Sequence, residues 1–389
     1  MRICFLCNEY PPGPHGGLGT LARLLGRAIV RAGHEIRVAG VYPAEFEGPP
    51  YEVDEGVRVW RLRGGSSRPA KALARRRLYR MVRAWIRERK IDLVEAPDWE
   101  GWVAGWPRLN VPVVARLNGS VAYFAAETGE RAPRLTAAFE RASLQRTDAW
   151  CAASRYVAER TRAVFGLRLW PMAILHNPVE LPPAASDSTR IPGRVVFSGR
   201  LIAKKGLEPL LRAWPRVRAQ VPGAELHLFG RDGPVGRAGS MRALLQGLIG
   251  DVADPGVVFH GHVDREELAR ALDTASVAVF PSYAEAFAFA PMEAMASGCA
   301  TVYSLRGSGP ELITDGMDGL LVEPSDPGKI AGAVIRLLTD ADLRLRLGSA
   351  GRRRIAESFS MPVLLPANEA FYRDVIERFR RAEPRQRQA

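Results

Sequence analysis

Two glutamates, Glu285 and Glu293, stand with seven residues between them in the stretch Glu285-Ala286-Phe287-Ala288-Phe289-Ala290-Pro291-Met292-Glu293. The run before them, Val277-Ala278-Val279-Phe280, is short and apolar, the pattern of a strand buried in a parallel sheet. Pro281 and Ser282 stop it. Pro291 suits the start of a helix, where its fixed φ costs little, and Gly298 suits its end. Glu285 therefore leaves the end of a strand, and Glu293 falls in the first turn of a helix. Open α/β sheets bind ligands in the crevice beyond the carboxyl ends of their strands. Both carboxylates point there, and the helix start between them offers free backbone N–H groups to an anion. Taken alone, the spacing is better explained by a loop glutamate and a surface-helix glutamate with no shared task; context has to decide.

A second candidate lies near the N-terminus. Residues 3–7 read as a buried strand, and an apolar helical pattern (Leu21, Leu24, Leu25, Ala28, Ile29) begins after Gly16, Gly17 and Gly19. Such glycines let backbone approach a ligand at a helix N-terminus. Their spacing fits neither GxGxxG nor the Walker pattern, and a plain tight turn explains it as well. Cys4 and Cys7 form a CxxC, but positions three apart on a strand face opposite ways. With no second pair in the chain, they read as small buried apolar residues.

After residue 193 further elements recur in order: Gly199-Arg200, Lys205-Gly206, Gly230-Arg231-Asp232-Gly233-Pro234, Gly261-His262-Val263, the Glu285–Glu293 element, Gly309-Pro310-Glu311 and Asp318-Gly319. With these motifs the chain resembles retaining glycosyltransferases of the GT-B fold, family 4 (group 1). The likeness is strong over the C-terminal half and covers mainly residues 3 to 40 of the first half. It implies an α/β protein of two Rossmann-like doubly wound domains facing each other across a cleft. It further implies transfer of a hexose-type sugar from a nucleoside diphosphate sugar, UDP before GDP, to a hydroxyl acceptor. Carried over residue by residue, Glu285 faces the donor sugar and Glu293 hydrogen-bonds the ribose hydroxyls. Gly16, Gly17, Gly199, Arg231, His262, Val263, Phe287, Ala288 and Phe289 complete the donor site. A diphosphate leaving group needs its developing charge neutralised. A metal would need clustered acids; the Asp340-Ala341-Asp342 pattern stands at a helix start, where capping explains it. Arg200 and Lys205 can take the metal's place, so neither metal nor cofactor is expected.

Two departures qualify the likeness. Where the family commonly has a His before a Gly, this chain has Asn118-Gly119. Asn can hydrogen-bond a hydroxyl but is no base at neutral pH. The donor phosphate is thought to assist acceptor deprotonation in such enzymes, which makes Asn118 tolerable; His15 and Asp98 are acceptor-side candidates for a base. Ala288 stands where the family usually has Gly, and its methyl group narrows the sugar pocket. The other readings are a GT-B epimerase or hydrolase of nucleotide sugars, and a membrane- or nucleic-acid-binding protein reusing the fold.

The elements that must position these residues follow from the alternation of apolar strands with helical segments, which implies parallel, doubly wound sheets. We divide the chain into an acceptor-side domain (1–178), a Pro-rich linker (179–192), a nucleotide-sugar domain (193–360) and a C-terminal helix (361–389) returning to the first domain. The 389 residues are 47% hydrophobic and 25% charged, ordinary for a globular protein, with a net charge of +13. No apolar run reaches the ~20 residues of a spanning helix. The N-terminus reads as a strand rather than a signal peptide, so a cytoplasmic protein is expected. Residues 58–90 hold 13 Lys or Arg against one acid, Glu88. Leu78, Met81, Val82, Trp85 and Ile86 share one helical face there. The remaining face is solvated, or it meets an anionic membrane surface from the inner side. Aromatics do not interleave with these cations, so no nucleic-acid partner is expected.

Overall fold

The computed structural model describes residues 1–12, 15–65, 67–167, 172–183, 189–235, 239–250 and 255–386. Its contacts divide into two compact units, Met1–Pro178 with Met361–Ala389, and Val179–Ser360.

The first unit runs β1 (Arg2–Leu6), α1 (Gly17–Arg31), β2 (Glu35–Pro43), β3 (Tyr51–Asp54), β4 (Val57–Gly64), α2 (Arg68–Arg87), β5 (Leu93–Pro97), β6 (Val113–Leu117), α3 (Val121–Thr128), α4 (Arg134–Arg146), β7 (Ala149–Ala152), α5 (Arg155–Phe165) and β8 (Met172–Ile174). Its sheet has the order β3-β4-β2-β1-β5-β6-β7-β8. All neighbours are parallel except β3 and β4. That hairpin was not expected. Its turn, Glu55-Gly56, takes positive φ at both residues (45° and 87°), the geometry that matches strand twist in a two-residue loop. Tyr51 and Val53 are exposed on this edge, so no buried alternation announces it.

The second unit runs β9 (Ile191–Ser198), a 3-10 turn (Ala203–Lys205), α6 (Leu207–Gln220), β10 (Glu225–Phe229), the hairpin β11 (Pro234–Val235) and β12 (Gly239–Ser240), α7 (Met241–Ile249), β13 (Val257–Gly261), α8 (Arg265–Thr274), β14 (Ala275–Phe280), α9 (Phe289–Ala296), β15 (Ala300–Ser304), α10 (Gly309–Leu312), β16 (Leu320–Val322), α11 (Pro327–Thr339) and α12 (Ala341–Arg354). The parallel sheet is ordered β13-β10-β9-β14-β15-β16. β14 is buried throughout, which is why it reads as an unbroken apolar run rather than an alternation. Short polar side chains cap the helices: Ser120, Ser154, Ser240, Asp264, Asp326 and Asp340 each accept an N–H three residues on, worth about 1 kcal/mol apiece. Asp340 is thus the cap of α12.

Two boundaries differ from the sequence reading. β9 begins inside the segment read as linker, with Ile191 in register with Ala275. Val179 is buried and its N–H reaches the Phe359 carbonyl at 2.9 Å. Residues 184–188 of that segment lie outside the described residues.

The last helix, α13 (Met361–Gln386), packs on the first unit. Arg116 on β6 donates to Glu95 on β5 at 2.8 Å, and to Asn368 and Tyr372 of α13 at 2.8 and 2.9 Å. The Tyr372 hydroxyl donates to the other Glu95 oxygen at 2.7 Å. A buried charge survives only when partnered in this way, so the interior Glu95 and Arg116 demand that helix.

Candidate functional site

In the second unit, the carboxyl ends of adjacent strands carry the chemistry. Gly230 follows β10 with φ of +144°, and a Cβ there would sit 1.9 Å from the Gly199 carbonyl oxygen. Only glycine lets these two strand ends close up. Gly206 is under the same constraint: φ is +69°, and a Cβ would meet the Pro281 oxygen at 1.8 Å. That contact presses the 3-10 turn against the end of β14, and the Tyr283 N–H seals it on the Lys204 carbonyl at 2.8 Å.

The result is an ion pair between the Lys205 ammonium and the Glu285 carboxylate. Burial pushes the Glu285 carboxyl up, but Lys205, Lys204 and the Ser282 hydroxyl outweigh it and hold the group below the usual glutamate range. Glu285 is therefore ionised at neutral pH. Lys204 was not singled out from sequence, although it sits beside Lys205 in the same turn. Burial brings its pKa down to about 8; Glu285 pulls it up, while Lys205 and Arg200 push it further down. Arg200 and Arg231 are exposed and form no ion pair among the described residues.

Glu293 is the fifth residue of α9, one turn deeper than the first-turn place read from sequence. Pro291 takes the third helical position, where its missing N–H costs nothing. Burial raises the Glu293 carboxyl, with Arg265 opposing. Its oxygens have no hydrogen-bond partner among the described residues, in contrast to the ion-paired Glu285. The helix itself begins uncapped at Ala288, leaving first-turn N–H groups for an anion. Phe287 needs correction as a donor contact. Its ring is 2% exposed and packs on Phe359 at 5.3 Å between centroids, so only its backbone lies on the loop. Ala288 and Phe289 are half-buried there, His262 is exposed and Val263 is half-buried before α8.

Asp232 also escaped the sequence reading. Its carboxylate accepts the Gly233 and Arg242 N–H groups at 2.9 Å each and the Ser240 hydroxyl at 2.6 Å. It fixes the loop that carries Arg231.

The first unit looks different. The N-terminus of α1 has Gly16 as its cap, with no side chain to satisfy the helix. Glu9 does this instead, accepting from Gly19 at 2.9 Å and Gly16 at 3.2 Å. The Gly16 N–H, expected near a ligand, is thus taken up by Glu9; Gly16 and Gly17 are both exposed. An acid seven residues before the helix cap was the available signal. His15 is exposed. Gly13 and Pro14 of this loop lie outside the described residues.

Asp98 is corrected as an acceptor-side group. It is fully buried, and its two oxygens accept the Asn118 and Gly119 N–H groups at 3.1 Å each. Burial, with Glu140 nearby, lifts its carboxyl to about 7. Glu140, also unforeseen, accepts the Glu100, Val121 and Ala122 N–H groups. These two acids shape the loop that holds Asn118. The Asn118 Nδ2 is out of solvent and has no hydrogen-bond partner among the described residues.

On α2, Leu78 and Val82 are buried and Met81 and Ile86 half-buried. Arg75 does not belong to the free basic face. It donates to the Gly101 carbonyl at 2.7 Å and lies 5.1 Å from both the Trp102 and Phe139 rings. Arg76, Arg80, Arg83 and Arg87 follow one exposed stripe with Leu73, and none forms an ion pair among the described residues. No helix among the described residues is long and apolar enough to cross a membrane. No cluster of three His, Cys, Asp or Glu suited to a metal occurs among them.

Comparison with known proteins matches both units. The model of Glycosyltransferase Family 4 matches residues 15–181, and that of Glycosyl transferases group 1 matches residues 192–340. A glycogen synthase of Mycobacterium tuberculosis is 28% identical over 99% of this chain and 97% of its own length. A GDP-mannose-dependent alpha-(1-6)-phosphatidylinositol monomannoside mannosyltransferase from the same species is 27% identical over 93% of this chain and 96% of its own. Among solved structures, a sucrose-phosphate synthase from Thermosynechococcus elongatus superposes with a TM-score of 0.82 at 23% identity, over 96% of this chain and 99% of the other. The Anabaena protein HepE, crystallised with UDP and glucose, gives 0.69 at 14% identity over 96% of this chain and 100% of its own. With both halves matched to their respective family models and the two parallel α/β units in place, the chain belongs to the family 4 glycosyltransferases of the GT-B fold.

Proposed function

We propose that this enzyme is a metal-independent, retaining glycosyltransferase that moves a hexose-type sugar from a nucleoside diphosphate sugar to a hydroxyl acceptor in glycan, glycolipid or glycosylated-metabolite synthesis. The observation that carries the reading is the Lys205–Glu285 pair, pressed by Gly206 onto the carboxyl end of β14 beside the uncapped start of α9. Lys205 and Arg200 meet the diphosphate, where fixed cations stabilise charge that develops as the leaving group departs. The ionised Glu285 lies under the sugar and favours positive charge developing at its anomeric carbon. Glu293, half-buried and with no hydrogen-bond partner among the described residues, accepts the ribose hydroxyls. The donor phosphate takes the acceptor proton, and Asn118 positions a hydroxyl.

UDP is the preferred nucleotide, supported by the UDP-bound HepE neighbour; the GDP-mannose-dependent relative makes GDP its rival. The exposed arginine stripe of α2 supports contact with an anionic membrane on its cytoplasmic side, since each Arg or Lys near such a surface contributes about 1 kcal/mol. A thermal-shift panel of UDP, GDP, ADP and dTDP tests the donor. At 100 times its dissociation constant the right nucleotide stabilises by about 2.7 kcal/mol. Incubation with the matching sugar nucleotide and candidate acceptors, with product anomers read by NMR, tests retention. An inverted anomeric product or an absolute need for Mn2+ in the chemical step overturns the mechanism.

A further inference from the structure

A void of about 680 Å3 lies within the first unit, at the amino-terminal ends of β6 and β7, where Val113 and Ala149 line it. This is the opposite edge of the sheet from Asn118. Its volume falls within the roughly 300–1,000 Å3 of small-molecule sites. One wall is α13, through Phe371, Val375 and Phe379; the loop bearing Trp106 and Arg108 forms another.

The charges of the lining are unbalanced, and that asks for a ligand. Arg378 pairs with Asp374 at 2.8 Å, and Arg146 gives its Nε–H to the Trp106 carbonyl at 2.7 Å. Asp148, the remaining acid, accepts the Val113 N–H at 2.8 Å. Arg108 is exposed and forms no ion pair among the described residues. Three guanidinium groups thus face two carboxylates.

We propose that this void binds a small anionic metabolite with a planar or apolar body and a terminal phosphate or carboxylate. The body lies against Phe371, Val375 and Phe379, and the anionic group meets Arg108. The site is distinct from the donor and acceptor machinery. Its occupant shares a helix with that machinery, because α13 also carries Asn368 and Tyr372, which hold Arg116 two residues before Asn118.

The test uses the full chain and 1-naphthyl phosphate, followed by isothermal titration. We expect one equivalent to bind, with saturating UDP leaving the affinity unchanged. Arg108→Glu, at an exposed position that does not endanger folding, should weaken binding about tenfold or more, as loss of a charge-assisted hydrogen bond does. Val375→Trp, which puts an indole where the body of the ligand would lie, should weaken it about tenfold or more in protein shown by its melting curve to be folded; if that variant does not fold, Arg108→Glu decides alone. No binding at millimolar probe, displacement by UDP, or an affinity untouched by Arg108→Glu overturns the proposal.

Discussion

The two units use their candidate acids in opposite ways. In the second, Glu285 is paired with lysine side chains and Glu293 has no hydrogen-bond partner among the described residues. In the first, Glu9, Asp98 and Glu140 are each engaged by two or more backbone N–H groups. A carboxylate saturated by backbone shapes a loop; one left to side chains can meet a substrate. The largest break in this comparison should come at the ion pair. Lys205→Ala should lower kcat about a hundredfold to a thousandfold, the usual scale for removing one preorganised charge from a transition state, with a smaller change in acceptor KM. It also strands Glu285 with less compensation, so its melting temperature should be recorded beside the rate. A kcat within threefold of wild type would place Lys205 outside the chemistry.

Glu293→Ala should act on binding. Losing a hydrogen bond to a charged group costs roughly 1.5–3 kcal/mol, which is about tenfold to 150-fold in nucleotide affinity by titration. Folding should survive, because the carboxylate satisfies no protein donor. An unchanged nucleotide affinity would break the contrast between the two units.

Asp98 sharpens the contrast through pH. Its folded pKa, about 7, lies above the ordinary 3.8. Between those values the folded chain keeps a proton that the unfolded chain has released. The stability this contributes is full below pH 3.8 and is lost as pH rises through 7. Other buried acids share this direction, so the measurement is the difference between wild type and Asp98→Asn. The wild type should lose more melting temperature from pH 5 to pH 8. The variant should start lower, since an amide can accept only one of the two N–H bonds that Asp98 accepts. Parallel pH curves for the two proteins would contradict a buried, proton-retaining Asp98.

The elements around Glu285 and Glu293 in the second unit were legible because their signals are local. A strand that must be buried on both faces shows as an apolar run, and glycines forced by close approach at Gly206 and Gly230 cannot be replaced. Arg200, Lys205, Glu285 and Glu293 could then be named at strand and helix ends. The loops of the first unit were not legible because their decisive contacts are long-range. Glu140 reaches Val121, Arg116 reaches Asn368 and Tyr372, and Glu9 folds back onto Gly19; no spacing announces which backbone a carboxylate will meet. Asp98 stood after a strand as a catalytic acid would, and only its burial shows that it is scaffolding. Phe287 failed similarly: it sits in the right motif, but Phe359, far along the chain, claims its ring.

The smallest expected effect concerns α2, where two kinds of arginine share one helix. Arg75 is bound to the Gly101 carbonyl and flanked by Trp102 and Phe139, and burial lowers its pKa. Arg80 is exposed on the stripe with Arg76, Arg83 and Arg87. If the stripe meets anionic lipid, Arg80→Gln should weaken sedimentation with phosphatidylserine vesicles about fivefold, the equivalent of ~1 kcal/mol per surface charge, and leave the melting temperature unchanged. The difference should shrink as salt rises toward 0.5 M, because the screening length falls well below 10 Å. Arg75→Gln should do the reverse. It removes the hydrogen bonds to the Gly101 and Glu100 carbonyls and the contacts with both rings, so the protein should melt earlier. Its vesicle binding, measured on the folded fraction, should stay near wild type because Arg75 is not part of the exposed stripe. Equal loss of vesicle binding in the two variants would mean that net charge alone drives the association. No loss in either, or equal sedimentation with neutral vesicles, would leave the stripe a solvated face and remove the membrane from the proposed function.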